Sequence, residues 1–135
     1  MFWRFSIMAS ELRVNTLKDA SGNNSIATSV VFGGTAKAWV NINGDASTPA
    51  SRDSHNVGSI TDVSAGQLNY AITSAMSDGD YARTVSAGDS GVRRVADTGA
   101  AASNTSVLGI IITEDFSGSL ADVDDANGVV HGDLA

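Results

Sequence analysis

No cysteine occurs in the chain, so neither a disulfide framework nor a thiolate metal site is open to it. Histidine is scarce as well. His55 and His131 are the two, and neither has a partner set for a metal triad. Basic residues are few, 8 Lys and Arg against 15 Asp and Glu, and a formal net charge of −7 is repelled by phosphate backbones and anionic lipid. Nucleic acid and membrane surfaces are therefore not expected partners. No stretch approaches the roughly 18 apolar residues of a membrane-crossing helix. The N-terminal run Met1 to Ile7 is cut off at Ser10-Glu11-Leu12-Arg13 before it reaches the h-region of a signal peptide, about 7–15 residues long. Two readings of that run stand: translation starts at Met8, or Phe2, Trp3 and Phe5 form a plug that docks into another protein. Aromatics are only 6 % of residues although the apolar total is 42 %, because much of that total is alanine. At roughly 25 cal/mol per Å² of apolar surface, such a chain gains little per residue from burial. Help from other subunits is expected, in a chain whose 135 residues suit one domain or a small domain with an arm.

What is present is a period of two. From Ala36 to Ile42 the chain alternates, with Ala36, Ala38, Val40 and Ile42 on one side and Lys37, Trp39 and Asn41 on the other, until Asn43-Gly44-Asp45 turns it. Glu11 to Leu17 alternates too, Leu12 and Val14 opposing Arg13 and Asn15, before the loop Lys18 to Asn24. Ile26 to Phe32, rich in β-branched residues and ended by Gly33-Gly34, reads as a second short strand of an N-terminal arm. After a loop holding the single proline, Pro49, the stretch Ser51 to Val63 reads as a polar strand with a bend at Gly58. Gln67 to Thr73 alternates with Leu68, Tyr70 and Ile72 on one side, and Tyr81 to Val85 follows the turn Ser77 to Asp80. Ser86 to Asn104 has no period. Thr105 to Thr113 is the most apolar segment and reads as a strand buried on both sides. Asp122 to Asp125 reads as an acidic, solvated tail before a closing Val129 to Leu134. Strand, tight turn, strand is the recurring unit, which predicts a mainly β, antiparallel sandwich or meander with no helix beyond a turn or two.

Four short patterns invite chemistry. Gly88-Asp89-Ser90-Gly91 reads like the surroundings of a protease serine, with His55 as the nominal base, but four small residues in a Gly- and Ser-rich chain predict a turn. Asp122, Asp124, Asp125, Asn127 and Gly128 resemble a calcium loop that lacks its closing glutamate, so a solvated acidic turn is the expectation. Trp39, Tyr70 and Tyr81 suit a sugar-stacking face, yet in an aromatic-poor chain packing claims them first. A sugar-cleaving tip would need a pair of acids across a cleft, which an acidic sequence neither specifies nor forbids. No catalytic residue, metal ligand or cofactor site is assigned.

The segments Met8 to Ile26, Gly34 to Gly44, Arg52 to Val57, Ile60-Thr61-Asp62, Tyr70, Ala75-Met76 and Asp80-Tyr81 together resemble small tail-fibre-type virion proteins of tailed bacteriophages, especially marine and cyanobacterial phages. The match covers about two thirds of the chain in the family's order. Met1 to Ile7 and Arg83 to Ser103 depart from its pattern. The resemblance implies a non-enzymatic homotrimer located on the virion, attached by its N-terminal part and facing the host with its C-terminal part. On that basis residues 1–33 form an attachment and trimerisation arm, with Leu12, Val14, Leu17, Ile26, Val30 and Val31 at its interface. Residues 34–135 form a β-rich body in which Trp39, Val40, Ile42, Tyr70 and Tyr81 pack or meet a neighbour. Expected partners are other copies of the chain, tail or portal and adaptor proteins, and a host cell-surface glycan or protein whose site is unknown. The alternative is a head-decorating or tail adaptor protein that binds only other virion proteins.

Overall fold

The computed structural model describes residues 12–91, 94–97, 105–106, 111–114 and 117–135. The chain divides into two compact units, Met1–Gly34 and Thr35–Ala135. The first is a small antiparallel hairpin, β1 (Thr16–Lys18) and β2 (Ser25–Ala27), with Leu17 opposite Ile26, followed by the helix α1 (Thr28–Gly34). Asp19 organises the hairpin loop. Its carboxylate accepts hydrogen bonds from Ser21 Oγ at 2.9 Å, the Asn23 amide at 3.0 Å and Asn24 Nδ2 at 2.7 Å. These bonds, that from Ser21 first, hold its pKa below the usual carboxylate range. The loop closes through Gly22 at φ 72°.

Two expectations for this unit are corrected. Leu12 to Asn15 is not strand, and Ile26 to Phe32 is mostly helix. The reason is the length of the partner: β1 offers only three residues, and its ladder is used up when Ala27 meets Thr16. With no further strand to pair among the described residues, the β-branched run closes its hydrogen bonds locally, since β-propensity depends on a sheet being there. Thr28 ties the start of the helix back to the preceding chain. Its amide donates to the Asn15 carbonyl at 3.0 Å and its hydroxyl to those of Val14 and Asn15 at 3.2 and 3.3 Å.

The second unit is built from two four-stranded antiparallel sheets. In the first, the strand order is β4 (Ala50–His55), β3 (Ala38–Asn43), β10 (Asp125–His131), β7 (Ala82–Gly88). In the second it is β5 (Val57–Ser64), β6 (Gln67–Ile72), β9 (Ile111–Glu114), β8 (Val95–Asp97). The body is thus a sandwich and not a meander, because β10 inserts between β3 and β7, and β9 between β6 and β8. Local periodicity marks hairpins such as β3-β4 and β5-β6, but it carries no record of where the chain changes sheets.

The passage from β4 to β5 is made by one residue, and it is Asn56, not the expected Gly58. Asn56 adopts φ 56°, a left-handed conformation that asparagine tolerates better than most side chains. It is also a clasp. Nδ2 donates to the carbonyls of Lys37 at 3.0 Å and Ser74 at 3.1 Å, and Oδ1 accepts from the Ser74 amide at 2.7 Å. Two further departures follow from strand ends. Lys37, expected beside Trp39, is 4 % exposed because it precedes β3, where its amide donates to the Val130 carbonyl at 2.8 Å and its ammonium lies 3.2 Å from Thr35 Oγ1. Ser86 to Asn104, expected irregular, contributes the end of β7 and the short β8. Of the apolar segment Thr105 to Thr113, Ile111 to Thr113 lie in β9, while residues 107–110, like residues 1–11, lie outside the described residues.

The core lies between the sheets. Ala38, Val40 and Ile42 of β3 and Ala126 and Val130 of β10 face Leu68, Tyr70 and Ile72 of β6, with Met76 and Val123 completing the cluster. The valine, leucine, isoleucine and methionine side chains among them contribute roughly 1.5–3 kcal/mol each. Tyr70 is the largest of them, and it lies over Gly128 at the middle of β10: a Cβ added there would stand 2.8 Å from the tyrosine oxygen. The Tyr70 hydroxyl has no hydrogen-bond partner among the described residues. Burial pushes its pKa up to about 12, helped by Tyr81 and opposed by the charge of Arg83.

These contacts set three stability predictions. Gly128→Ala should destabilise the body by about 1–3 kcal/mol through overpacking against Tyr70, read from chemical denaturation. A phenol whose pKa is raised on folding favours the folded state fully below its ordinary value near 10. That contribution is lost as pH rises toward about 12. Tyr70→Phe, which removes a buried hydroxyl without a partner among the described residues, should be at least as stable as the wild type at pH 7, and its margin should widen above about pH 10 in thermal melts. Asn56→Ala should cost on the order of 3 kcal/mol, combining left-handed strain with lost hydrogen bonds, and Asn56→Gly less; equal losses in urea titrations would show that backbone conformation plays no part.

Candidate functional site

Among the described residues of the first unit the large apolar side chains are exposed. Leu17 and Ile26, directly opposite on the hairpin, are both exposed; Leu12, Val14, Val30, Val31 and Phe32 are exposed as well, and α1 buries none of its residues. Large exposed hydrophobics elsewhere among the described residues are Val63, Val95 and Leu120, scattered over the body. Large apolar side chains left exposed together on one small unit make it a candidate interaction site. All six side chains assigned to the arm interface, Leu12, Val14, Leu17, Ile26, Val30 and Val31, lie in this exposed set.

The residues singled out in the body divide by strand face. Val40, Ile42 and Tyr70 are in the core; Trp39 and Tyr81 are half-buried. Tyr81 packs against the core cluster, and the Arg83 guanidinium carbon is 5.9 Å from its ring centre. Trp39 alternates with the buried Ala38 and Val40, which places it on the outer face of the first sheet.

Register defines what surrounds it there. Trp39 is opposite His55 on β4 and Val129 on β10, and Val129 is opposite Thr84 on β7. Two residues along, Asn41 is opposite Asp53 and Asn127, and Asn127 is opposite Ser86. Asn41 Nδ2 donates to Asn127 Oδ1 at 2.6 Å and lies 3.4 Å from Asp125 Oδ1. A bulge in the β3-β4 pairing between Asn41 and Ile42 lets Arg52 share the outer face with Asp53. From β4, Arg52 reaches across to β10, where it donates to the Asp124 carbonyl at 2.6 Å and to the Asp125 carboxylate. Exposed on both sides, this ion pair is worth at most about 1 kcal/mol, so it orients more than it stabilises.

The sequence does not announce this polar ladder, because Asp122 to Asp125 reads as a solvated acidic tail. The signal was nevertheless in the sequence. From Asp125 to Val130 the chain alternates Asp, Ala, Asn, Gly, Val, Val, with Ala126, Gly128 and Val130 buried. The resemblance to a calcium loop dissolves in the fold: Asp122 accepts the Gly66 amide at 2.7 Å, Asp124 offers its carbonyl to Arg52, and Asp125 pairs with Arg52. Among the described residues, no three His, Asp or Glu side chains are grouped to hold a metal ion. Gly88-Asp89-Ser90-Gly91 ends β7 and turns, with Gly91 at φ 75°, and Asp89 holds Arg94 through bonds of 2.6 and 3.0 Å. His55 is on the outer row beside Trp39, and His131 is opposite Ala82 at the end of β10. Comparison of the chain with protein-family models, curated proteins and solved structures finds no match.

Proposed function

We propose that the chain is a bacteriophage structural protein: a short trimeric tail fibre, held to the virion by its first unit and engaged in host-surface adsorption through its β-sandwich. The observation that supports this reading best is the outward-facing apolar set of the first unit, above all the pair Leu17 and Ile26 with Val30 and Phe32 on α1. Among the described residues, a hairpin of three-residue strands and a helix of 7 residues form no buried core that covers these side chains. Association with other copies and with virion proteins would cover them, at roughly 25 cal/mol per Å² removed from water. The sequence resemblance supplies the number three and the setting, and the sandwich supplies the body that would take part in adsorption.

Light scattering of the purified protein should give three times the chain mass of 13.8 kDa. The double variant Leu17→Asp/Ile26→Asp should fall to the monomer mass with the melting of the body unchanged, since neither residue is in the core. A wild-type monomer would reject the trimer. Fluorescent protein that binds host cells supports the adsorption half of the reading, whereas binding to purified capsids or tails with none to cells would make it a head-decorating or adaptor protein.

A further inference from the structure

We infer that the outer face of the β4-β3-β10-β7 sheet is a binding site for a neutral saccharide, with Trp39 and Val129 as its apolar platform and the Asn41, Asn127, Asp53 and Ser86 row as its polar edge. A pyranose ring offers an apolar C–H face bordered by hydroxyls that are both donors and acceptors. The sheet offers the complement in two adjacent rows. Trp39 and Val129 are direct cross-strand partners, so an indole and an isopropyl group form one apolar step. The next row is amide, amide, carboxylate and hydroxyl, again fixed by register.

Three features favour a sugar over other occupants. First, the amides are already oriented: the 2.6 Å bond from Asn41 Nδ2 to Asn127 Oδ1 leaves Asn41 Oδ1 and Asn127 Nδ2 as an adjacent acceptor and donor, neither with a partner among the described residues. Groups held in place before binding lose less side-chain entropy when a ligand arrives. Second, β7 contributes only Ala82, Thr84, Ser86 and Gly88 to this face, a low floor beside the indole. Four strands span roughly 14 Å, enough for a di- or trisaccharide. Third, charge selects among sugars. Asp53 accepts hydroxyls, the carboxylate of Asp125 is matched by Arg52, and a chain of net charge −7 repels sulfated or sialylated polymers. On the opposite side of the strand, Ala38, Val40 and Ile42 supply the core contacts of β3, so the indole is not needed between the sheets.

The assignment names the ligand class for the adsorption step proposed above and rests on that reading for its setting. The test uses the full chain on an array of neutral oligosaccharides of hexose, deoxyhexose and N-acetylhexosamine, printed beside sialylated and sulfated ones. Binding is expected to be confined to neutral features. Ser86→Arg, an exposed change on an edge strand, should weaken it at least tenfold, as should Trp39→Ala, while Val63→Arg on the other sheet should leave it intact. Because Trp39→Ala also removes packing, Ser86→Arg with an unchanged melting curve is the deciding variant. No bound neutral feature, binding restricted to anionic features, or binding indifferent to Ser86→Arg would each overturn the inference. If cells are still bound by Ser86→Arg, adsorption stands and this face is excluded; if the array result holds for a protein of monomer mass, the face stands and the trimeric fibre is excluded.

Discussion

Tyr70, in the middle of one sheet, lies over Gly128, in the middle of the other, and this contact decides what each sheet can be. A tyrosine ring fills the space that any side chain on β10 would need, so the strand crossing beneath it must present glycine there. Ala126 and Val130 then flank the ring on the same inward side. Since β10 takes its place between β3 and β7 through antiparallel pairing with both, the first sheet is complete only when the last strand of the chain has docked. The core is shared across a long sequence separation, and few of its side chains are large.

The same strand makes the outer face. With Ala126, Gly128 and Val130 turned inward, the period of two sends Asp125, Asn127 and Val129 outward, next to Asn41 and Trp39 of β3. Core and surface are therefore not independent: a one-residue slip of β10 would bury Asn127 and expose Val130. At the lateral edge, Asn56 sets the path of the chain from β4 to β5 by combining a left-handed backbone with a side chain that reaches Lys37 and Ser74. The bulge near Asn41 then brings Arg52 onto the outer face. What looks like a polar, weakly patterned stretch from Ser51 to Val57 is a strand shaped at both ends for where its side chains go.

How far the sequence discloses this depends on whether a signal is local. Alternation in Ala38 to Ile42 and Leu68 to Ile72 reports burial on one side directly, and those residues form the core. Ile26 to Phe32 has the composition of a strand and is mostly helix, because the absence of a partner beyond Thr16 is not written in the run itself. Gly58 was the obvious bend by propensity, yet Asn56 makes it, because its side chain has three bonds waiting on segments far along the chain. Asp125 to Val130 carried the right period but hid it behind charge and glycine. The exposed arm side chains are legible in the sequence as apolar residues of a short arm, and the three-residue strands of the hairpin show why so few of them find cover within it.

Charge and apolar surface are divided between the units in opposite senses. The first 34 residues hold Arg4, Arg13 and Lys18 against Glu11 and Asp19, a net +1, so the body carries −8 where the whole chain carries −7. Acidic bodies repel one another within a Debye length, about 8 Å at physiological ionic strength, which disfavours close pairing of bodies through their charged faces. The first unit is close to neutral in net charge and has an apolar set in need of cover. In the proposed fibre this assigns cohesion to the arm, where burial is favourable. A face kept clear by like charge is suited to a ligand that carries none, and the Trp39 row meets that description: an apolar step, two pre-oriented amides and a carboxylate that accepts hydroxyl hydrogens without demanding a cation.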